Sequence, residues 1–129
     1  MNTIERFESI YVHDSGIMHV NLDVQTSICH ILLDRAGILK NPPKMFDYEI
    51  YYRPAVLEFK DVKMIRYPEG YCLNDSIMYQ KAMLSEFSDY YCFSLTMTGG
   101  WDNDTFMRTV EIIAKDFSIT GTAANPQET

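Results

Sequence analysis

The regular alternation of side-chain types near the end of the chain most strongly limits how this sequence can fold. Residues 90–97, YYCFSLTM, and residues 106–119, FMRTVEIIAKDFSI, follow a period of two and are rich in aromatic and β-branched types. This period is typical of strands with one buried face, because successive side chains in a strand point to opposite sides. The pattern predicts a hairpin with one face formed by Tyr91, Phe93, Leu95, Met97, Phe106, Arg108, Val110 and Ile112.

Earlier segments predict two further hairpins. Residues 17–24 and 28–35 flank a short turn, and the first of them carries a predicted buried face made of Met18, Val20, Leu22 and Val24. Residues 48–59 and 62–67 flank Lys60-Asp61 and predict the second hairpin. Pro54 interrupts residues 48–59, and a proline cannot donate to a β-ladder. We therefore expect an edge strand or a bulge there, and no central strand.

The remaining segments are less regular. Ile4, Phe7 and Tyr11 recur at helical spacing behind Thr3, a suitable N-cap, so residues 4–11 predict a short helix, with a strand as the competing interpretation. The Pro-Pro pair within residues 38–47 predicts an exposed loop. Residues 71–88 fit a helix beginning near Ser76 or a strand, and the strand is preferred.

These elements predict an α+β, mostly β fold, an antiparallel meander of about seven or eight strands with one or two short helices. A chain of 129 residues is the usual size of one domain. We expect a single β-rich domain over residues 1–120 and a flexible tail over residues 121–129.

Charge and cysteine content exclude several classes of partner. The net charge is −7 and the basic residues are scattered, whereas a nucleic-acid-binding protein needs a basic stripe. No segment has the 18 to 20 apolar residues, roughly, of a membrane-spanning helix. The three cysteines are widely spaced and odd in number, which favours a reducing cytoplasm over a disulfide scaffold. We predict neither nucleic acid nor membrane as a partner.

The stretch TMTGGWDNDTF, residues 96–106, contains the only tryptophan of the chain. It lacks the acidic spacing of a calcium loop, and its acidic residues would repel a phosphate. We interpret it as a hairpin connection of five to seven residues, with Gly99 and Gly100 free to adopt positive φ. Surface aromatic residues are common in protein interfaces. The predicted partner-binding residues are Trp101, Asp102, Asp104, Tyr51 and Tyr71.

A second candidate is the turn His13-Asp14-Ser15, which has the residue types of a hydrolytic triad. Adjacent residues cannot form a triad in line, so we expect Asp14 and Ser15 to bond nearby backbone amides, with Gly16 in an unusual conformation. A metal site using His13, His19 and His30 with Asp14 or Cys29 lacks the close ligand pairs typical of zinc. The favoured interpretation places the histidines on an outer sheet face. His13, Asp14 and His19 remain an alternative pocket.

The three cysteines, Cys29, Cys72 and Cys92, lack the nearby cation that activates a thiol, so we interpret them as core or sheet-face residues. The sequence predicts no catalytic residue, metal or cofactor.

Three stretches together resemble a family of small, uncharacterised bacterial proteins: YVHDSGI, PAVLEFKDVKMIRYPEG and LTMTGGWDNDTF. In such proteins a short first segment, an HDS or HDA turn and an L-x-F-x-x-V hairpin recur, and some look like immunity proteins found beside polymorphic toxins. The resemblance spans most of the chain. It implies a cytoplasmic β-rich protein that binds another protein, and it implies no catalytic residue.

The leading hypothesis is therefore a non-enzymatic protein-binding module, with neutralisation of a toxin as one specific form. The alternative is a small enzyme, or a ligand or metal binder, with a pocket near His13 and Asp14. A homo-oligomer formed through a sheet face is a third hypothesis.

Overall fold

The computed structural model describes residues 1–41, 43–67, 75–101 and 104–127, with the backbone alone for residues 100, 101 and 104–106. Within these ranges the chain forms one short helix and ten strands. They are α1 Thr3–Glu8, β1 Ile10–Tyr11, β2 Ile17–Asp23, β3 Ile28–Leu33, β4 Ala36–Leu39, β5 Tyr48–Lys60, β6 Met64–Arg66, β7 Ser76–Leu84, β8 Tyr91–Trp101, β9 Asp104–Ala114 and β10 Asp116–Ala123. The predicted fold class, mostly β and antiparallel, is confirmed, with ten strands instead of seven or eight.

The strands form two antiparallel sheets and not one meander. The first sheet has six strands, in which β1, β4, β5, β3 and β2 are successive partners and β10 also pairs with β5. The second has four strands in the order β6, β9, β8, β7. Among the described residues no helix is long and apolar enough to cross a membrane.

The hairpin predicted from the alternating pattern is β8 and β9. The predicted face is buried at Phe93, Leu95, Met97, Val110 and Ile112. Pairing continues to Trp101 and Asp104, so the connection has only residues 102 and 103 and is shorter than predicted. The strand preferred for residues 71–88 is confirmed by β7, while residues 71–74 lie outside the described ranges.

Strand β5 occupies the centre of the first sheet, contrary to the prediction made from Pro54. Leu57 lies between Ile31 of β3 and Ile119 of β10, so this part of β5 is paired on both edges. Residues 48–52 pair with β4. Pro54 falls between the β3 and β4 ladders, where the β10 register also shifts, and its missing N–H therefore interrupts no pairing. The bulge alternative fits this position.

The two other hairpin predictions differ in outcome. Strands β2 and β3 pair as expected. A register shift between Ile17 and His19 turns Ile17 toward the core, while Met18 is exposed. Leu22 is exposed on β2 and Val24 is exposed after its end, whereas Val20 is partly buried against the core. The second predicted hairpin is wrong, since β6 crosses to the other sheet and pairs with β9.

Both chain ends differ slightly from the expected boundaries. The helix ends at Glu8 and is capped by Asn2, whose Oδ1 accepts a hydrogen bond from the Glu5 N–H at 2.8 Å. Strand β10 continues to Ala123, so residues 121–123 of the predicted tail belong to the first sheet. The predicted loop over residues 38–47 likewise begins two residues late, because Ile38 and Leu39 complete β4.

The two sheets pack face to face around a buried aromatic cluster. Its rings come from α1, from β5 and β10 of the first sheet, and from β8 of the second: Phe7, Phe59, Phe117 and Phe93. The Phe93 ring centroid lies 5.0 Å from that of Phe7 and 5.3 Å from that of Phe59. The helix therefore packs into the same core as the sheets.

Candidate functional site

A groove of about 680 Å³ lies beside the pairing of β1, β4 and the first half of β5. Its walls come from β1 and the turn after it, the β3–β4 connection, the chain around the start of β5, and the segment after β10. The lining residues are Tyr11, His13, Asp14, Arg35, Phe46, Tyr48, Tyr51, Asn125, Pro126 and Gln127. A volume of this size lies within the range of roughly 300–1,000 Å³ common for ligand sites.

The floor of the groove is a row of residues across three neighbouring strands. Tyr11 of β1 pairs with Gly37 of β4, and Gly37 pairs with Tyr51 of β5. Ile10 and Ala36, the residues next in sequence, are buried in the core. Because side chains alternate along a strand, Tyr11 and Tyr51 face away from the core.

Gly37 holds a specific place in this row because the Tyr48 ring lies against it. A Cβ at this position would overlap ring atoms Cδ1 and Cε1 of Tyr48. The missing side chain therefore allows the ring to rest on the sheet between Tyr11 and Tyr51. The Tyr48 ring centroid is 5.7 Å from that of Tyr11 and 5.1 Å from that of Tyr51.

Phe46 extends the aromatic surface at the mouth of the groove. Its ring centroid is 5.7 Å from that of Tyr11, and the residue is 66% exposed. Its backbone has φ of 64°, in the left-handed region that residues with a large side chain seldom adopt. The chain thus holds a large apolar ring at the surface, with an unusual backbone conformation.

The turn at residues 13–15 is attached to the second sheet by backbone hydrogen bonds. The Asp14 N–H donates to Ile77 O at 2.8 Å, and the Ile77 N–H donates to Ser15 O at 2.8 Å. Asp14 has a positive φ of 66°, whereas Gly16, for which an unusual conformation was expected, has no positive φ in the left-handed range. One wall of the groove is therefore fixed to β7.

The side chains of this turn separate into two groups. His13 and Asp14 line the groove, with His13 Nε2 3.6 Å from Asp14 Oδ2. Ser15 is buried, and its hydroxyl donates to Arg35 O at 2.6 Å. The hydroxyl is thus directed to a distant carbonyl, not to an imidazole as in a triad and not to a nearby backbone amide as the turn interpretation predicts. His19 is exposed on β2 and does not line this groove.

The orientation of the His13 ring is set by β7. Nδ1 lies 2.7 Å from Met78 O, and since a carbonyl can only accept, Nδ1 carries the proton. In the neutral ring Nε2 is then the acceptor, on the side of Asp14.

Arg35 supplies the cationic side chain of the groove. It lies in the connection between β3 and β4, and its Nη2 donates to Asp14 O at 3.1 Å. The opposite wall is formed by the segment after β10, where the Ala124 N–H donates to Tyr51 O at 2.9 Å.

The tyrosine hydroxyls share a partly enclosed environment. Burial, followed by the neighbouring Tyr11 and Tyr51, raises the pKa of Tyr48, and the Arg35 guanidinium lowers it in part. The Tyr48 hydroxyl therefore remains protonated at neutral pH and is able to donate a hydrogen bond.

Among the predicted partner-binding residues, Tyr51 lines this groove. Tyr71 and Asp102 lie outside the described residues. The backbones of Trp101 and Asp104 pair at the end of the β8–β9 hairpin, and their side chains are not described.

A buried ion pair lies toward the turn end of that hairpin, where Arg108 is paired with Met97. Arg108 Nη2 is 2.7 Å from Asp75 Oδ2, with side chains 13% and 7% exposed. A Cβ at Gly99 would overlap the Asp75 carboxylate, so this glycine makes room for a charged group. Gly99 does not adopt the positive φ expected for it. Sequence reasoning did not identify this pair, which links the start of β7 to β9.

The remaining titratable candidates are structural. His19 and His30 lie on the outer face of the first sheet, as favoured, and His30 Nε2 is 2.9 Å from Glu58 Oε2. Burial raises the pKa of the Cys29 thiol to about 11. Burial and a hydrogen bond to Glu111 raise the pKa of Cys92 to about 11. Cys72 lies outside the described residues, and the described residues contain no group of three or more His, Cys, Asp or Glu that could hold a metal ion.

Sequence reasoning identified His13, Asp14 and Tyr51 and missed most of the groove. No local pattern marks Tyr48, Arg35 or Phe46 as site residues, and the spacing of Tyr11 predicts a place in a helix instead. Their proximity depends on the pairing of β1 with β4 and of β4 with β5.

Comparison with known proteins adds no assignment, since no family model, curated protein or solved structure matches this chain.

Proposed function

We propose that this protein is a non-enzymatic binding protein that accepts a short segment of another protein in the groove. The observation that most directly supports this proposal is an open row of aromatic rings with neighbouring centroids 5.1 to 5.7 Å apart. The rings belong to Phe46, Tyr11, Tyr48 and Tyr51. Tyrosine and arginine are enriched among the residues that dominate binding energy at interfaces. The groove combines both types beside a volume of about 680 Å³.

The fixed position of the floor also supports recognition. Tyr11 and Tyr51 stand on paired strands, and Tyr48 rests on Gly37. Side chains that are already ordered lose less conformational entropy when a ligand binds. An extended segment would meet a surface that needs little rearrangement.

The resemblance to immunity proteins suggests one form of this function, in which the bound segment belongs to a toxin. A reducing cytoplasm belongs to the same proposal and is supported by the free thiols of Cys29 and Cys92. The test of groove binding depends on neither detail.

The test uses peptides selected from a random library against the wild-type protein and then measured by fluorescence anisotropy. We expect Tyr48→Ala to weaken binding by about tenfold or more, the loss typical of a central aromatic contact. Gly37→Ala should weaken it too, because the new Cβ displaces the Tyr48 ring. The matched control is Tyr79→Ala, which removes an exposed tyrosine of β7 that does not line the groove.

Selected peptides that bind Tyr48→Ala as tightly as wild type would refute the groove as the binding surface. Amide spectra of each variant show whether the fold is retained, so that a loss of binding is not confused with unfolding.

A second function, binding of a small ligand, is favoured by one observation: His13 and Asp14 both line the groove. The His13 ring is oriented by Met78 O and turns an acceptor nitrogen toward Asp14. To test it, the melting temperature would be measured with a panel of small metabolites. A ligand that stabilises wild type and His19→Ala but not His13→Ala would support this function, and no shift with any ligand would remove it.

A further inference from the structure

We propose that the segment bound in the groove presents a carboxylate to the guanidinium of Arg35, beside an aromatic or apolar side chain that packs on the rings of Tyr11, Tyr48 and Tyr51. This inference rests on the proposed function and adds the chemistry of the bound segment.

The position of Arg35 is set at both its backbone and its side chain. Its carbonyl oxygen accepts the Ser15 hydroxyl at 2.6 Å, and its Nη2 donates to Asp14 O at 3.1 Å. The bond to Asp14 uses one of the five N–H donors of a guanidinium. The planar fork matches the two oxygens of a carboxylate, which makes such pairs stronger than neutral hydrogen bonds.

The charges of the groove favour an anion over a cation. Arg35 is the only lysine or arginine that lines it within the described part of the chain, and Asp14 is the only carboxylate. The Asp14 side chain is 64% exposed and lies 3.6 Å from His13 Nε2. Arg35 is only half-buried but less exposed than Asp14, so solvent screens the Asp14 charge more strongly than that of Arg35.

Aromatic rings alone would also attract a cation through their faces. A cation above Tyr48, however, would lie near the Arg35 guanidinium, whose charge already acts on the Tyr48 hydroxyl. The same guanidinium attracts a carboxylate. The tyrosine hydroxyls can donate additional neutral hydrogen bonds to that carboxylate.

The overall charge of the protein makes a local cation necessary for this recognition. With a net charge of −7 the surface as a whole repels anions. At physiological ionic strength this repulsion is screened beyond about 8 Å. A contact with Arg35 acts at much shorter range, and the ring surface supplies apolar burial for the adjacent side chain.

The experiment compares three peptides that share one phenylalanine: acetyl-Ala-Phe-Ala with a free carboxylate, the same peptide with a terminal amide, and acetyl-Ala-Phe-Glu with a terminal amide. Binding is followed by the amide chemical shifts of Tyr11, Gly37 and Tyr51 during titration. We expect at least one carboxylate peptide to bind about tenfold more tightly than the neutral amide, as charge-assisted hydrogen bonds suggest.

Two full-length variants of equal charge test the role of Arg35. Arg35→Gln should reduce the carboxylate-to-amide ratio to about one. Lys44→Gln removes the same charge from an exposed residue that does not line the groove, and it should leave the ratio unchanged. If Arg35→Gln does not fold, the wild-type ratio and the Arg35→Lys variant, which keeps the charge but loses the fork, still decide the question.

The outcomes distinguish a failure of the carboxylate inference from a failure of the proposed function. Tight binding of the free-terminus peptide alone supports a C-terminal carboxylate, and tight binding of the Glu peptide alone supports a side-chain carboxylate. Equal binding of all three peptides at the groove, or a ratio unaffected by Arg35→Gln, overturns the inference and leaves the proposed function standing. Absence of shifts at the groove with every peptide, selected ones included, overturns the proposed function.

Discussion

Within the part of the chain that the structure describes, two clusters of four aromatic rings differ in what surrounds them. The core cluster contains Phe7, Phe59, Phe93 and Phe117, with centroids 5.0 to 6.1 Å apart. The groove cluster contains Tyr11, Phe46, Tyr48 and Tyr51, with neighbouring centroids 5.1 to 5.7 Å apart. Ring spacing is nearly the same in both.

The clusters differ in burial and in polar atoms. Every ring of the core cluster is at most 3% exposed, whereas Phe46 in the groove cluster is 66% exposed. Tyrosine replaces phenylalanine at three of the four groove positions and brings hydroxyls that need polar partners. Ring packing therefore does not distinguish a core from a binding surface, while exposure and neighbouring open volume do.

The largest expected effect comes from truncating the centre of the core cluster. Phe93 contacts the rings of Phe7, Phe59 and Phe117, so Phe93→Ala leaves a cavity that neighbouring strands cannot fill. We expect the free energy of unfolding to fall by about 3–5 kcal/mol. Equilibrium unfolding in guanidinium chloride measures this change.

A loss below about 1 kcal/mol for Phe93→Ala would contradict the closed character assigned to the core cluster, since a fully buried phenylalanine carries much more.

An intermediate effect on the free energy of unfolding is expected at Cys29 of β3, which pairs with Phe59, a member of the core cluster. Burial raises its pKa from the usual thiol value of 9.0 to about 11. The folded state thus favours the neutral thiol, and this contribution is complete below pH 9 and is lost as the pH rises toward 11. The loss should be on the order of 2–3 kcal/mol, since each pKa unit corresponds to about 1.4 kcal/mol.

Unfolding of wild type and Cys29→Ala would be measured between pH 8 and pH 11. Tyrosines, lysines and the other thiols titrate in both proteins, so the difference in slope isolates Cys29. Parallel curves would show that this thiol is not held neutral by the core.

The difference between the core cluster and the groove cluster also explains which parts of the structure the sequence predicts. The β8–β9 hairpin was predicted because its inner face is marked locally, residue by residue, by Phe93, Leu95 and Met97. The position of β5 was missed because the proline rule assumes continuous ladders on both edges, and here the ladders stop at Pro54. Local pattern thus identifies strands, and long-range pairing decides their neighbours.

The groove was less predictable than the core for a related reason. Tyr11 and Tyr51 are 40 positions apart and meet only through Gly37 between them. A glycine inside a strand indicates that another group packs closely against the backbone, but it does not identify which side chain does so. His13 and Asp14 could be named as a pocket because they are adjacent, whereas Arg35 required the β3–β4 connection to be known.

The smallest expected effect on stability comes from replacing the phenylalanine of the groove cluster, Phe46, by alanine. This is the same substitution as Phe93→Ala in the core cluster. Phe46 is largely exposed, so Phe46→Ala should change the free energy of unfolding by less than about 0.5 kcal/mol. The groove peptides should nevertheless bind several-fold more weakly, because the ring next to Tyr11 is removed. Met45→Ala is the matched control, since Met45 is 62% exposed beside Phe46 and does not line the groove. Destabilisation comparable to that of Phe93→Ala would mean that Phe46 packs as a core residue, and the two clusters would then not differ in kind.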